Sequence, residues 1–352
     1  MEFTSDNTTG AHPRIMAAIQ AANNGRTPSY GDDPWTLAME RAFDDLFETE
    51  TRSLAVATGI AANSIGLAAC GGPGGVVLCH AESHIVTDEC GAPTRLSDGL
   101  RLMPLPGDLG KLSADTVQDA LADRFGHGVH SGRPMVLSIT NLNEYGQAYT
   151  PAEIGALAEV AHSNGLKLHV DGARFANAVS HLGCTPAELT WKAGVDVMSF
   201  GGTKNGCWCA EAVVFFDRKA AETAPFIRMR AGHLLSKGRL LASQFIAYLE
   251  DGLWLELAGI SNVRAAKLAA GLKASGKATL MADPMGNEVY AIWPKATGDR
   301  LRDAGALFYP WAVDPAGSDF RLQPGMELAR LVTGFTTSEA EVEQLVGLVA
   351  AS

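Results

Sequence analysis

The chain has 352 residues, of which 47% are hydrophobic and 19% charged, and it contains 38 glycines. That size and apolar content supports one large core with a smaller lobe and excludes a disordered chain. A net charge of -11 without a long basic run excludes a nucleic-acid surface, which needs Lys and Arg against phosphate, so an anionic small ligand calls for a local cationic pocket.

Met1 to Gly10 is polar and lacks the charged-then-apolar layout of a secretion signal, and no apolar run reaches membrane-spanning length. A cytoplasmic enzyme with no membrane partner is expected. The six cysteines (Cys70, Cys79, Cys90, Cys184, Cys207, Cys209) are scattered, as reduced thiols are. Cys207 and Cys209 are one residue apart, unlike zinc ligands, and no metal is expected.

Short β-rich runs then alternate with helical stretches: Arg52 to Ala57, Val76 to His80, Met135 to Thr140, Leu166 to Val170, Val195 to Phe200 and Ala212 to Phe216. The alternation predicts a mostly parallel sheet covered by helices. Pro151 to Ser163 carries Ile154, Leu157, Ala158 and Ala161 on one face, with Thr150 as its cap and Asn164-Gly165 as its stop. Leu240 to Leu249 and Ser261 to Leu272 read as bridging helices. Glu288 to Trp293, Phe320 to Leu322 and Leu328 to Phe335 read as strands of a small α+β lobe, and Ser338 caps a last helix whose acids suit its positive end. The expected division is an N-terminal segment, 1–25, packing with the small domain, a large domain over 26–255 and a small domain over 256–352.

The chemistry gathers at strand ends. Lys204 follows Val195 to Phe200 and a Gly201-Gly202 pair, and Asp171 ends the preceding strand in the run His169-Val170-Asp171-Gly172-Ala173-Arg174. Open α/β sheets hold their ligands at such ends. An acid and a lysine there suit pyridoxal phosphate, which uses a Schiff-base lysine and a carboxylate on its pyridinium nitrogen. Thr58-Gly59-Ile60 opens an apolar helix after a strand, so its backbone N–H groups suit a phosphate, although ordinary strand-to-helix punctuation has the same pattern. His84 lies beyond another strand, where an imidazole can lie against a ring or relay a proton. His80 and His84 have the spacing of a zinc pair, but Ala81 stands where an HExxH motif needs glutamate. Arg330, inside an apolar strand, needs either a structural carboxylate or a substrate carboxylate as its partner. Tyr30-Gly31-Asp32-Asp33-Pro34 offers a hydroxyl and two acids, and equally a plain turn.

In order, Ser5 to Thr9, Tyr30 to Pro34, Thr58-Gly59, His84, the HVDGAR run, Lys204 and Arg330-Leu331-Val332-Thr333 resemble the L-threonine aldolase family over nearly the whole chain. Ser199 to Gly206 resembles the branch that includes phenylserine aldolases. The resemblance implies an aspartate-aminotransferase-like α/β fold, with a large mostly parallel seven-stranded sheet domain and a small C-terminal α+β domain. It implies a homo-oligomer, dimer or tetramer, and cleavage of L-3-hydroxy amino acids (threonine, allo-threonine or phenylserine) to glycine and an aldehyde. The alternative is another enzyme of the same fold, a β-eliminating lyase or an aminotransferase. Lys204 would carry pyridoxal 5'-phosphate, Asp171 meet its nitrogen, Arg174 lie near its 3-oxygen and His84 stack on it, with Thr58, Gly59 and Ile60 at the phosphate. Ser5, Tyr30 and Arg330 would bind substrate, and Arg230 and Lys237 are further phosphate candidates. Two departures stand out: Ile60 replaces a threonine common in the family, and Asn141-Leu142-Asn143-Glu144-Tyr145-Gly146 replaces a loop that carries a histidine in several members.

Overall fold

The computed structural model describes residues 1–312 and 320–352. Its large sheet contains β1 (Arg52–Val56), β2 (Gly75–His80), β3 (Arg101–Leu105), β4 (Arg133–Thr140), β5 (Lys167–Gly172), β6 (Val197–Gly201) and β7 (Glu211–Phe215). Their order across the sheet is β1-β7-β6-β5-β4-β2-β3, and only β7 runs against its neighbours. The central strands are buried on both faces, which is why they read as continuous apolar runs rather than alternating ones. The expected parallel sheet is therefore present. Strand β3 was not legible because Pro104 interrupts its pattern; at the sheet's edge a missing N–H donor is tolerated.

The covering helix Pro151–Ser163 has the predicted bounds. Thr150 accepts from the Glu153 backbone N–H while the Glu153 side chain accepts from that of Thr150, a reciprocal cap that fixes where the chain turns back toward β5. Ser338 caps the last helix, Glu339–Ala350, in the same way.

The small lobe holds an antiparallel sheet of β8 (Thr279–Leu280), β9 (Glu288–Pro294), β10 (Tyr309–Pro310) and β11 (Met326–Val332), in the order β10-β11-β9-β8. Phe320 to Leu322 is not a strand; Tyr309–Pro310 takes the pairing beside β11 instead. The run expected to reach Phe335 ends at Val332, because Gly334 and Thr337 bond to each other in a turn that leads into the last helix.

One continuous helix, Leu253–Ala274, joins the lobes. Leu253, Trp254, Leu257 and Ala258 pack into the large core, whereas Ala265, Leu268, Ala269 and Leu272 pack into the small one. The N-terminal segment also reaches the small lobe: Phe3 is fully buried there, and its backbone bonds to Leu307 and Val332 at 2.9 Å each. That path delivers Asp6 and Asn7 to the edge of the large sheet.

Candidate active site

Register brings the functional groups to one edge. Thr140 at the end of β4 pairs with Asp171 on β5, and Asp171 with Ser199 on β6. Glu211, at the start of the reversed β7, pairs with Gly201 on one side and Val56 on the other. Since β7 is antiparallel, its first residue meets the last residues of its neighbours. Lys204 leaves β6 at this edge, Thr58 leaves β1, and His84 follows β2. These side chains line a cavity of about 290 Å³.

The walls are organised by buried hydrogen bonds. Asp171 accepts from the Asn63 amide at 2.8 Å and from the Ala173 backbone at 3.0 Å. The same Asn63 amide donates to Glu89 at 2.8 Å, and its oxygen accepts from Ser199 at 2.6 Å. Glu89 Oε1 also lies 2.9 Å from His84 Nδ1. Hydrogen bonding to Glu89 raises the His84 pKa against the opposing effect of burial. Burial pushes the Glu89 carboxyl up.

Two further carboxyls were not singled out from sequence. Burial raises both Glu144 and Glu211 to about 7, with the Asp171 charge adding to each. Across the cavity, Asp6 takes Arg174 in a fork, Nε to Oδ2 at 2.8 Å and Nη2 to Oδ1 at 3.2 Å, and Arg174 also reaches Glu288 at 3.4 Å. Burial would lift the Asp6 carboxyl, but the Arg174 and Lys204 charges outweigh it and hold it below its ordinary value. Lys204 Nζ itself has no hydrogen bond or ion pair among the described residues.

Lys204, Asp171, His84, Arg174, Thr58, Gly59 and Ile60 thus meet in one place. Ser5, Tyr30 and Arg330 do not line that cavity. Ser5 accepts from the Asn7 backbone at 3.1 Å, while Arg330 donates to the Thr4 carbonyl at 3.3 Å and lies 4.5 Å from the Trp311 ring centroid. Tyr30 is 56% exposed, and Arg230, paired with Asp98 at 3.1 Å, lines an adjoining hollow that shares Thr58 and Ile60. His169 belongs to the core: it is fully buried, its Nδ1 lies 2.9 Å from Ser138 Oγ, and burial lowers it to about 4. Asn63, Glu89 and Glu211 escaped the sequence reading and Glu144 entered it only as part of the departing loop, although Asn63 stands out as an amide in an apolar helix and Glu211 as an acid opening an apolar strand.

The beta-eliminating lyase family model matches residues 2–292. Low specificity L-threonine aldolase of Pseudomonas sp. strain NCIMB 10558 is 38% identical over 344 residues, spanning 98% of this chain and 95% of that protein. Its namesake from Pseudomonas aeruginosa is 39% identical over 331 residues, 94% of each chain. The chain belongs to the L-threonine aldolase family. A threonine aldolase structure from Leishmania major shares this family's architecture with a TM-score of 0.91 and 28% identity, over 99% of this chain and 98% of that one. The serine palmitoyltransferase of Sphingomonas wittichii, 18% identical with a TM-score of 0.70 over 100% of this chain and 86% of that one, shares the fold alone.

For a threonine aldolase family member the residues present fit pyridoxal phosphate. Lys204 keeps an uncommitted amine, and Asp171 is a buried carboxylate held at the same edge. The Gly59–Cys70 helix begins at the cavity wall, where the first N–H groups of any helix have no intrahelical acceptor. A Cβ on Gly59 would meet nothing within 4 Å, so space is open beside that backbone.

Proposed function

We propose that the chain is a pyridoxal-phosphate-dependent aldolase that cleaves L-3-hydroxy amino acids, such as threonine, allo-threonine or phenylserine, to glycine and an aldehyde. The supporting observation is the uncommitted Lys204 amine in one cavity with Asp171 and a helix start. When bound, pyridoxal phosphate supplies an electron sink for negative charge left on the amino acid's Cα.

Lys204, whose amine has no other partner among the described residues, would be the residue that holds the cofactor. Asp171, fixed by Asn63 and the Ala173 N–H, would keep the pyridine nitrogen protonated. Thr58, Gly59 and Ile60 would hold the phosphate through backbone donors and the Thr58 hydroxyl, which also caps its own helix at 3.2 Å. Arg174, anchored by Asp6 through one edge of its guanidinium, would offer its other edge as a cationic partner for the cofactor. Ser5 and Arg330 hold the substrate carboxylate, and this anchoring selects which Cα bond is presented for cleavage. Their support is proximity: Ser5 bonds to cavity-lining Asn7, and the Arg330 charge bears on Glu288, the partner of Arg174. His84, backed by Glu89, would form the wall against the cofactor's ring.

The active protein is read as a homo-oligomer, because Phe226 (73% exposed) and Met229 (60%), on the helix that ends at Arg230 in the adjoining hollow, and Tyr30 (56%) leave large apolar surface in water. Tyr30 then serves substrate across the interface. Six free cysteines fit a reducing cytoplasm.

Purified protein should show the cofactor's visible absorbance and release aldehyde from L-threonine and L-phenylserine. After borohydride reduction and unfolding, the wild type should keep its cofactor and Lys204→Ala should lose it; cofactor retained by the variant removes Lys204 from the attachment role. Arg330→Ala should raise KM by roughly 10- to 100-fold, the worth of a charged hydrogen bond. Unchanged kinetics would take Arg330 out of the carboxylate site.

A further inference from the structure

We infer that Glu144 accepts the proton of the substrate's β-hydroxyl, so that the base of the reaction is a carboxylate of the Asn141 to Gly146 loop and not the His84 imidazole. The inference rests on the aldolase reading and adds the residue that decides how the hydroxyl is met.

Glu144 lines the same cavity as Lys204 and Asp171. Its Oε1 is committed, accepting from the His84 backbone N–H at 2.7 Å and from the Thr140 hydroxyl at 3.2 Å. Its Oε2 is shielded from water and has no hydrogen-bond partner. A buried carboxyl oxygen without a donor is costly while charged, so this side chain, lining the cavity beside Lys204 and Asp171, is suited to take up a proton from a group bound there. The loop beneath is held firmly: Asn143 Oδ1 accepts from the Tyr145 and Gln147 backbones at 3.0 Å each, Asn143 Nδ2 donates to Leu109, and the Tyr290 hydroxyl donates to the Glu144 carbonyl.

The groups acting on this carboxyl are His84 from the helix after β2, Asp171 from β5, Cys79 from within β2, Tyr149 beyond the loop and Tyr290 from β9. Burial and the Asp171 charge raise its pKa to about 7, so near neutral pH it exists in both forms and can take a proton and release it. His84 stands differently. Its Nδ1 is engaged by Glu89, whose hydrogen bond raises the imidazole pKa, so that nitrogen is not free to take the hydroxyl proton.

In the step itself, the Glu144 carboxylate takes the β-hydroxyl proton and the O–H electron pair becomes the second C–O bond of the aldehyde. The Cα–Cβ bond breaks with its pair left on Cα. A proton from solvent completes glycine at Cα, and Glu144 returns its own proton to solvent, so no net proton is consumed.

The test is Glu144→Gln in the cofactor-loaded enzyme, since glutamine still offers an oxygen to His84 and Thr140. Cofactor absorbance per protomer and glycine affinity by spectral titration should stay within about twofold of wild type. Exchange of glycine's Cα hydrogen in D2O, which involves no hydroxyl, should persist, while kcat for aldehyde release falls by about 100-fold or more. The wild-type loss of kcat/KM below about pH 7 should disappear in Glu144→Gln and remain in His84→Asn. Aldehyde release within threefold of wild type, glycine exchange falling in parallel, or the acid limb vanishing only in His84→Asn would each overturn the assignment. Failure of the wild type to release aldehyde from any L-3-hydroxy amino acid would instead sink the aldolase reading itself.

Discussion

Asn63 ties the site together at the scale of single residues. Its amide bonds to both Asp171 and Glu89, and its oxygen accepts from Ser199, so the Asp171 carboxyl and the carboxyl behind His84 share one support. Asn63→Ala leaves these buried groups short of partners at about 1–3 kcal/mol each. Thermal unfolding of the cofactor-free variant should show a Tm lowered by several degrees, and cofactor titration should show weaker binding. Titration carries a second residue-scale signature. Glu144 and Glu211 are raised in the folded state, so the native protein binds more protons than the unfolded chain between about pH 4.5 and 7, and their contribution to stability declines as pH rises through that window. Asp6 has the opposite sign: its lowered pKa stabilises above its unfolded value and that contribution is lost on acidification. The cofactor-free protein should therefore lose Tm from pH 5 to pH 8, and Glu144→Gln should lose less. At this scale the sequence disclosed His84, Asp171, Gly59 and Lys204, because each lies at the end of a strand or just beyond one. Glu89, Glu144 and Glu211 were hidden because acids in loops and at strand starts look like surface residues until burial is known.

Glycines set the separation of the elements that carry the chemistry. A Cβ on Gly201 would stand 2.5 Å from the Ala173 carbonyl oxygen, and one on Gly172 would stand 2.4 Å from that of Ser199. Both clashes are with backbone, so β5 and β6 would have to part, carrying Asp171 away from Lys204. Gly201→Ala should cost about 1–3 kcal/mol as overpacking and also weaken cofactor binding. Thr150→Ala tests the reverse case: it removes a helix cap far from the cofactor, lowering stability by about 1 kcal/mol in denaturant titration and leaving cofactor affinity unchanged. The alternation of strands and helices was readable because each central strand is buried on both faces. Elements stabilised by tertiary pairing were not, as with β3, which carries Pro104, and the two-residue β10.

Across the whole molecule, the Leu253–Ala274 helix and the N-terminal segment make the two lobes interdependent. Phe3 pins the segment to the small core, and Asp6 then clamps Arg174 on the large sheet. The composition of the chain foretold two cores, but not that one helix would run unbroken through the expected boundary at residue 255, since its apolar residues face different partners along its length. The exposed Phe226 and Met229 should close an interface between protomers. Sedimentation of the double variant Phe226→Glu, Met229→Glu should show a monomer with weakened cofactor binding, whereas an unchanged oligomer would locate the interface elsewhere.

All three scales converge on a site built to break a Cα–Cβ bond, and product stoichiometry tests this most directly. With L-threonine, L-allo-threonine and both L-phenylserine diastereomers as substrates, the cofactor-loaded protein should yield glycine and the matching aldehyde in equal amounts, without ammonia. A keto acid with ammonia, or a keto acid formed by amino transfer, would contradict the account.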